Sequence, residues 1–398
     1  MKKKGVKKTV LIILCSLGAV ILAAFLSLFL ISGIFVPKNY LEPWDKNYAQ
    51  KFEDPRIQLA AHGLLAANGH NMQPWKIQLD KNDPRVFYLY ADSSRMTNEV
   101  DPYSRQMMVT QGTFLDYVQV AGEKIGYRTD ISLFPNGVYN EKNLRGSMDT
   151  KPVAKITLRK TGPLQSPLYN ALFVPDTNRG PYKPDALTAA QISRLDSLSE
   201  PGLSVKIYQD KADVSRLDDY AMKGAVVESG VQRVMDESAR IFRANEYQKN
   251  KYRYGFSVEG QGTSGIMVHL LQGLVTLFPS MNSGKAASDL FVKSTQASVD
   301  STPAYVMIQT KDNSRKSQVK SGMLYSRLIL EANHLGLAVQ PLSQVLEEYP
   351  EMRQLYNGIH RDYAPDGGTI QMLVRIGKPV QNVPQTMRRD VMDLIMKN

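Results

Sequence analysis

The order of helical and strand-like segments in the first half of the chain recurs in the second half. A helix followed by a strand at 59–80 aligns with 188–210, with one gap and an offset of 130 residues. A long helical pattern at 112–126 aligns with 322–336 at an offset of 210 residues. A preserved order of weakly similar segments is typical of an internal duplication. We therefore expect two related halves, with accidental similarity of common helix–strand patterns as the alternative.

The N-terminal region carries a long apolar run. Residues Thr9 to Val36 include no charged side chain, and five lysines stand among the first eight residues. The run exceeds the roughly 20 residues that span a bilayer and the roughly 7–15 apolar residues of a cleavable signal. The lysines predict a cytoplasmic N-terminus. We thus expect a basic tail at 1–8, a transmembrane helix at 9–36, and the remaining chain outside a bacterial cytoplasmic membrane.

Composition excludes several classes of function. The net charge is +11, but five of the lysines lie among the first eight residues, so the rest of the chain is only mildly basic. No helix-turn-helix or zinc-finger pattern is present. Nucleic acid is therefore not an expected partner. Cys15 is the only cysteine of the sequence, and the five histidines show no metal-binding spacing. No Ser-His-Asp order, P-loop or paired-carboxylate motif occurs. We expect no metal site and no side-chain nucleophile.

The stretch Leu64–Leu79 combines a helix end, a polar turn and a strand start, in the letters LLAANGHNMQPWKIQL. Asn and Gly tolerate positive φ, which suits the end of a helix. The primary amides of Asn71 and Gln73 offer donors and an acceptor without adding charge. Such groups suit the polar edge of a flat heterocycle. The alternative is a plain helix-to-strand turn that binds nothing.

The motif Asn71-x-Gln73-Pro74-Trp75 resembles the flavin elbow of the nitroreductase superfamily, and its form is most similar to the Acg-like FMN-binding branch. Ala67, Asn68 and Gly69 stand where that family has Pro-Ser-Ser. The resemblance implies an α+β, nitroreductase-like fold of two fused halves, each with a mixed or antiparallel sheet flanked by helices, in addition to the N-terminal transmembrane helix. It also implies FMN as the cofactor.

Further segments are similar to the family's phosphate and flavin contacts. Thr177 and Arg179 match the end of its Arg-Arg-Ser-x-Arg motif, although Pro175 and Asp176 replace the leading arginines. The resemblance assigns the FMN phosphate to the C-terminal arginines and the N5 side of the ring to the segment that begins at Pro341. A surface turn and a solvated tail are the alternatives. The expected cofactor contacts are Asn68, Gly69, His70, Asn71, Gln73, Thr177, Arg179, Pro341, Leu342, Ser343, Arg388 and Arg389.

The two offsets differ by about 80 residues, which indicates an insertion in the second half. We expect a tether at 37–52, a first half at 53–160 and a second half at 161–398 that contains the insertion 211–300. Within the insertion we predict a long amphipathic helix from Val214 to Ala244 and a Gly/Ser-rich stretch. Long insertions often gate sites. The hypothesis is a lid over the cofactor, and extra helical packing is the alternative.

The resemblance implies a membrane-anchored FMN-dependent oxidoreductase that forms a monomeric pseudo-dimer. Its partners would be a small-molecule electron donor, with NAD(P)H as a candidate, and a nitro, quinone or similar acceptor, reduced by ping-pong transfer through FMN. The flavin rather than a side chain would carry the chemistry. One alternative is a non-catalytic FMN-binding protein with an occluded site. Another is a flavin-free membrane-tethered relic, for which Pro175 and Asp176 are the main argument.

Overall fold

The N-terminal helix precedes the folded part of the chain. The computed structural model describes the backbone of residues 2–397 and the side chains of residues 9–397. Helix α1 covers Lys2–Ser32. In the described part of the chain, one helix is long and apolar enough to cross a membrane, through its segment Thr9–Ser32 with a mean hydropathy of 2.8. The side chains of residues 9–27 are exposed.

The first half is built on a four-stranded antiparallel sheet in the order β1-β2-β4-β3. Its first helix begins at Asp54-Pro55, where the Asp54 carboxylate accepts the N–H of Arg56 and proline occupies the first helical position. The long helix of this half ends at Gly126, with φ of 88°. The elements are α2 (Pro55–Gly63), β1 (Trp75–Leu79), β2 (Val86–Ala91), α3 (Arg105–Ile125), β3 (Tyr127–Leu133), α4 (Leu144–Thr150) and β4 (Ala154–Lys160).

The second half has a four-stranded antiparallel sheet in the order β5-β8-β10-β9. In each half, then, the first and second strands are neighbours, the fourth follows and the third lies at the edge. The elements are α5 (Ala189–Asp196), β5 (Leu203–Tyr208), α6 (Lys211–Gly230), α7 (Gln232–Arg240), β6 (Phe242–Arg243), α8 (Glu246–Tyr252), β7 (Phe256–Ser257), α9 (Ile266–Leu277), α10 (Gly284–Val299), β8 (Ala304–Thr310), α11 (Arg315–His334), β9 (Ala338–Pro341), α12 (Arg353–Tyr363) and β10 (Thr369–Gly377).

The two long helices α3 and α11 cross at a pair of glycines. A Cβ on Gly112 would lie 1.8 Å from the carbonyl oxygen of Val319, and a Cβ on Gly322 would lie 1.8 Å from that of Val109. Both pairs of equivalent residues are separated by the 210-residue offset found in the sequence. The expected α+β fold of two related halves with antiparallel sheets is therefore confirmed, and the halves meet through their equivalent helices.

The C-terminal segment returns to the first half. Ile77 of β1 donates its N–H to Leu394 O at 2.7 Å and accepts the N–H of Met396 at 2.8 Å. This places Ile395 parallel to Ile77 at the edge of the first sheet. The side chains of Val391 and Leu394 are buried in the core of the first half. The end of the second half thus completes the sheet of the first.

Two segments differ from their predicted form. The helix predicted over Val214–Ala244 is two helices, because Val231, directly after Gly230, has φ of −98° and ψ of 94° and ends the helical hydrogen bonding. The stretch 37–52, predicted as a tether, folds onto the domain and buries Tyr40, Trp44 and Tyr48. Its aromatic side chains have apolar surface to bury, which a free tether would leave in water.

Candidate functional site

The polar turn between α2 and β1 has an unusual backbone. His70, Asn71 and Gln73 have φ of 56°, 51° and 50°, in the left-handed region that residues other than glycine rarely adopt. Asn68 supports the turn by accepting the N–H of Gln73 through Oδ1 at 2.8 Å. Strained conformations of this kind persist where the surrounding structure holds them, and they are common at ligand sites.

The amides predicted to meet a cofactor edge contact other parts of the chain. Asn71 Nδ2 donates to Gly255 O at 3.2 Å and to Met387 O at 3.1 Å. Gln73 Nε2 donates to Arg253 O at 2.9 Å. Gly255 N returns a hydrogen bond to Asn71 O at 3.0 Å. The turn therefore joins the insertion, through Arg253 and Gly255 just before β7, to the C-terminal segment.

Arg388 from the C-terminal segment lies beside this turn. It is 1% exposed, and its guanidinium donates to Asn71 Oδ1 at 3.0 Å and to Leu65 O at 2.9 Å. Its charge lies 4.6 Å from the ring centre of Trp44. Its Nε is buried and has no hydrogen-bond partner among the described residues. A charged donor without an acceptor is costly to bury, so this atom marks a place for an acceptor.

A second guanidinium converges on the same region. Arg179 Nη1 donates to Gly260 O at 2.6 Å. Burial lowers the pKa of both Arg179 and Arg388, and the negative charge of Asp176 opposes that shift. Burial, reinforced by the positive charge of Arg179, lowers the pKa of His70 to about 4, so its imidazole is neutral at physiological pH.

These side chains line a small, partly open cavity of about 80 Å³. Its walls also include two carboxylates, Asp176 and Glu259, and Glu259 is held by the buried ammonium of Lys249. Asp176 is therefore the carboxylate left facing the two guanidiniums. Of the predicted contacts, the cavity brings together Asn68, His70, Asn71, Thr177, Arg179 and Arg388.

The remaining predicted contacts lie elsewhere. Gln73 is fully buried behind the turn, and Arg389 donates to Gln73 O at 3.3 Å and Asp393 O at 2.8 Å. Ser343 Oγ donates to Leu373 O at 2.8 Å and so ties the segment after β9 to β10. The predicted residues that do not line the cavity are Gly69, Gln73, Pro341, Leu342, Ser343 and Arg389.

Several cavity residues are not among the predicted contacts, although some of them lie in the Gly/Ser-rich stretch of the insertion to which the lid hypothesis refers. Phe256 packs against His70 with ring centres 5.4 Å apart, and Glu259 and Gly260 follow it in the insertion. Thr386 lines the wall and accepts from Arg388 at 2.7 Å. Their positions depend on how the insertion folds back across the halves, and no local motif encodes that path.

A larger depression of about 410 Å³ lies along the edge strand β5 and the turn after α12. Its lining includes Lys206, Tyr208 and Asp366 but none of the predicted cofactor contacts. We therefore place the candidate site at the smaller cavity, where the charged and strained residues converge.

Comparison with known proteins gives distant relatives over most of the chain. An uncharacterized protein of Mycobacterium tuberculosis is 21% identical over 336 residues, which cover 83% of this chain and 90% of that protein. The “Putative NAD(P)H nitroreductase acg” of the same species is 23% identical over 354 residues, which cover 84% and 92%. A solved nitroreductase with bound FMN from Bacteroides fragilis is 10% identical, with a TM-score of 0.32, over 56% of this chain and 95% of that one. No family model matches the chain.

The sequence relatives align over more than four-fifths of both chains, so their similarity covers both halves rather than one motif. They place this chain in the nitroreductase-like superfamily. Within that superfamily it is related to the Acg-like proteins, which have a similar two-domain size.

Proposed function

We propose that this chain is a membrane-anchored, FMN-binding oxidoreductase of the nitroreductase type, with one cofactor site formed between its two halves. The observation that carries the proposal is the convergence, at one cavity, of the strained elbow of the first half with two largely buried arginines of the second. The Acg-like relative's name supplies NAD(P)H as the candidate donor. The acceptor is a nitro compound, a quinone or a similar small molecule.

The chemistry of the donor set fits a phosphorylated flavin. A phosphate monoester is bound best by guanidinium and hydroxyl donors, and Arg179, Arg388 and Thr177 line the cavity. The unpaired Nε of Arg388 provides a donor for such an oxygen. The amide of Asn71, which lines the cavity, suits the pyrimidine edge of the flavin ring, and the buried Gln73 supports the turn behind it.

The cavity of about 80 Å³ is smaller than a cofactor needs, since ligand pockets measure roughly 300–1,000 Å³. Residues 253–262 of the insertion fill the difference: they bond to Asn71, Gln73 and Arg179 through the backbone of Arg253, Gly255 and Gly260. We propose that this covering segment is the lid, and that its withdrawal frees the cavity-lining amide of Asn71 and the guanidinium of Arg179 for FMN.

Bound FMN would supply the hydride or electron transfer. The chain would contribute position and charge: Asn71 would orient the ring edge, and the two arginines would balance the phosphate. His70, which is neutral at physiological pH, would add no charge beside them. The covering segment would exclude water from the site.

A second candidate is a protein that holds FMN without turnover. The observation that favours it is the small space left in the cavity, with both elbow amides donating hydrogen bonds to carbonyl groups of the covering segment. Anaerobic addition of NADPH to flavin-loaded protein separates the two functions. Rapid loss of flavin absorbance supports the oxidoreductase, and no loss supports storage.

We further propose that α1 anchors the chain in a bacterial cytoplasmic membrane, with the basic tail in the cytoplasm and the two halves outside. Its support is the apolar segment Thr9–Ser32, whose 24 residues exceed the roughly 20 needed to cross a bilayer. The lysines that precede it favour this orientation. A donor other than NAD(P)H would then be needed where that nucleotide is scarce.

The test of the flavin assignment is titration of the purified full chain with FMN, followed by flavin fluorescence. We expect binding by the natural chain, and Kd raised at least about tenfold in Arg179→Gln, because a charged hydrogen-bond donor is lost. The double variant Asn71→Ala, Gln73→Ala should retain no flavin. Arg361→Gln, on the exposed face of α12, is the matched control and should bind as the natural chain does.

Two results would overturn the assignment. One is a natural chain that stays colourless in the presence of FMN. The other is full flavin occupancy in the double elbow variant. Circular dichroism of each variant shows whether a loss of binding comes from unfolding.

A further inference from the structure

The insertion contacts the N-terminal helix as well as the cavity. A Cβ on Gly273 of α9 would lie 2.5 Å from Leu28 O of α1, so the two backbones touch there. Ser32 Oγ and His269 Nδ1 are 3.1 Å apart. The two contacts are four residues apart on each helix, but the one that is later in α9, at Gly273, is earlier in α1, at Leu28. The helices are antiparallel, and the C-terminal end of α9 points toward the N-terminal end of α1.

The end of α9 and the turn that follows expose large apolar side chains. Leu277, Phe278 and Met281 are 49%, 56% and 42% exposed. No Asp, Glu, Lys or Arg occurs from Ile266 to Ser283. An exposed apolar patch of neighbouring large side chains calls for a partner. We refer to the surface formed by Leu277, Phe278 and Met281 as the α9 tip.

The packing sets the depth of the α9 tip relative to the apolar span. Continuing the antiparallel register, Leu277 lies level with Ala24, which is roughly 12 Å along the helix axis from Ser32 at 1.5 Å per residue. Ala24 and its neighbours belong to the apolar segment Thr9–Ser32. The α9 tip therefore lies beside the apolar segment of α1, on the N-terminal side of Ser32, and not beyond its outer end.

The residues around this level have the polarity of a membrane boundary. Tyr247 packs on Gly33, just beyond the apolar segment, and remains 58% exposed. Aromatic side chains with a polar group favour that zone. On α10 the exposed pair Lys285 and Asp289, with Nζ and Oδ1 2.9 Å apart, follows the tip and requires water or headgroups. Insertion is therefore limited to the headgroup and outer acyl region.

We propose that the α9 tip is a second membrane contact, inserted into the outer leaflet of the phospholipid bilayer beside α1. This inference rests on the proposed membrane anchor. It links the bilayer to the cofactor cavity through buried polar contacts. Gln272 of α9 donates to Glu246 at 3.0 Å, Lys249 lies 2.6 Å from Glu246, and Lys249 also binds Glu259 of the cavity wall. The segment that covers the cavity is thus braced by the helix that contacts lipid.

The experiment places one fluorescent label at a time on the full chain in vesicles of phosphatidylethanolamine and phosphatidylglycerol. With Cys15→Ser as background, the variants are Leu277→Cys, Leu22→Cys and Val138→Cys, each labelled with an environment-sensitive dye. Leu22 tests the anchor, and Val138, which is 64% exposed on the first half, is the matched control. Lipids with spin labels along the acyl chain serve as quenchers.

We expect the Leu277 label to lose fluorescence to at least half the extent seen at Leu22, and the Val138 label to be unaffected. Quenching at Leu22 without quenching at Leu277 would overturn the α9 contact and leave the anchor intact. No quenching at either site would overturn both. A third outcome is a Leu277 label that lipid quenchers do not reach but that quenches its own fluorescence, with the fluorescence recovering when more lipid is added. That result would show that the α9 tip is an interface between two copies of the chain, and it would also overturn the proposal.

Discussion

At the scale of single residues, the buried carboxyl groups of Glu228 and Glu347 in the second half are the clearest source of pH-dependent stability. Burial raises the pKa of Glu228 on α6 to about 8, and burial together with the charge of Glu228 holds the pKa of Glu347 well above its usual range. Glu228 Oε2 and Glu347 Oε2 have no hydrogen-bond partner among the described residues. Asp101 and Arg105 face the same region. The folded chain therefore favours the protonated, neutral form of Glu228.

We expect the free energy of unfolding to fall as pH rises from about 4.5 to about 8, because over that interval the folded state binds a proton that the unfolded state has lost. Glu228→Gln removes this titration. At pH 8.5 the free energy of unfolding of the variant should exceed that of the natural chain by on the order of 1–3 kcal/mol. Its thermal unfolding midpoint should be higher accordingly. At pH 5 the two should agree. Glu200→Gln, at an exposed carboxylate, is the control, and equal behaviour of the two variants would contradict the prediction.

At the scale of elements, the crossing of α3 and α11 depends on two residues without side chains. Gly112 and Gly322 let the backbones of Val109 and Val319 approach directly. Helices usually pack 8–10 Å apart with side chains between them. The close approach is what brings the two halves together, and it explains why both helices carry glycine at the same place in the repeat.

Gly112→Ala should therefore destabilise the chain by about 3 kcal/mol or more, since the new methyl group meets backbone that cannot move away alone. The matched control is Gly230→Ala at the end of α6, where a Cβ would meet nothing within 4 Å. Alanine is favoured over glycine in a helix by roughly 0.5–1 kcal/mol, so this variant should be unchanged or slightly more stable. Denaturant unfolding of the full chain measures both, and a Gly112→Ala midpoint equal to that of Gly230→Ala would count against direct helix contact.

At the scale of the whole molecule, each half is completed by residues of the other. The C-terminal segment of the second half bonds to Ile77 and buries Leu394 in the first core. The same segment carries Arg388 to the elbow. The stability of the first half and the geometry of the candidate site are therefore coupled through one stretch of chain.

Leu394→Ala should destabilise the first half by roughly 2–4 kcal/mol, as large-to-small changes in a core do. Met392→Ala, two residues earlier and 48% exposed, should change stability by less than about 0.5 kcal/mol. Hydrogen exchange of the β1 amides reports the effect locally. If exchange at Ile77 is equally slow in both variants, the C-terminal segment does not hold the first sheet.

The sequence by itself determined most of the elements, their repetition and the uncharged N-terminal run, but not the break at Val231. These follow from local rules: side-chain periodicity, the Asp54-Pro55 helix start, the glycine at the end of α3 and the length of an apolar stretch. The elbow was also visible, since Asn71 and Gln73 lie within one short segment.

Only the tertiary structure decided which distant residues meet that elbow. Arg388 reaches Asn71 across 317 positions, and Gly255 reaches it across 184. Such pairings depend on how the insertion and the C-terminal segment pack over both halves, and packing is a property of the whole fold that no local pattern encodes. For the same reason, the amides predicted to meet a flavin were found bonded to the covering segment: a buried donor binds whichever acceptor the fold brings to it.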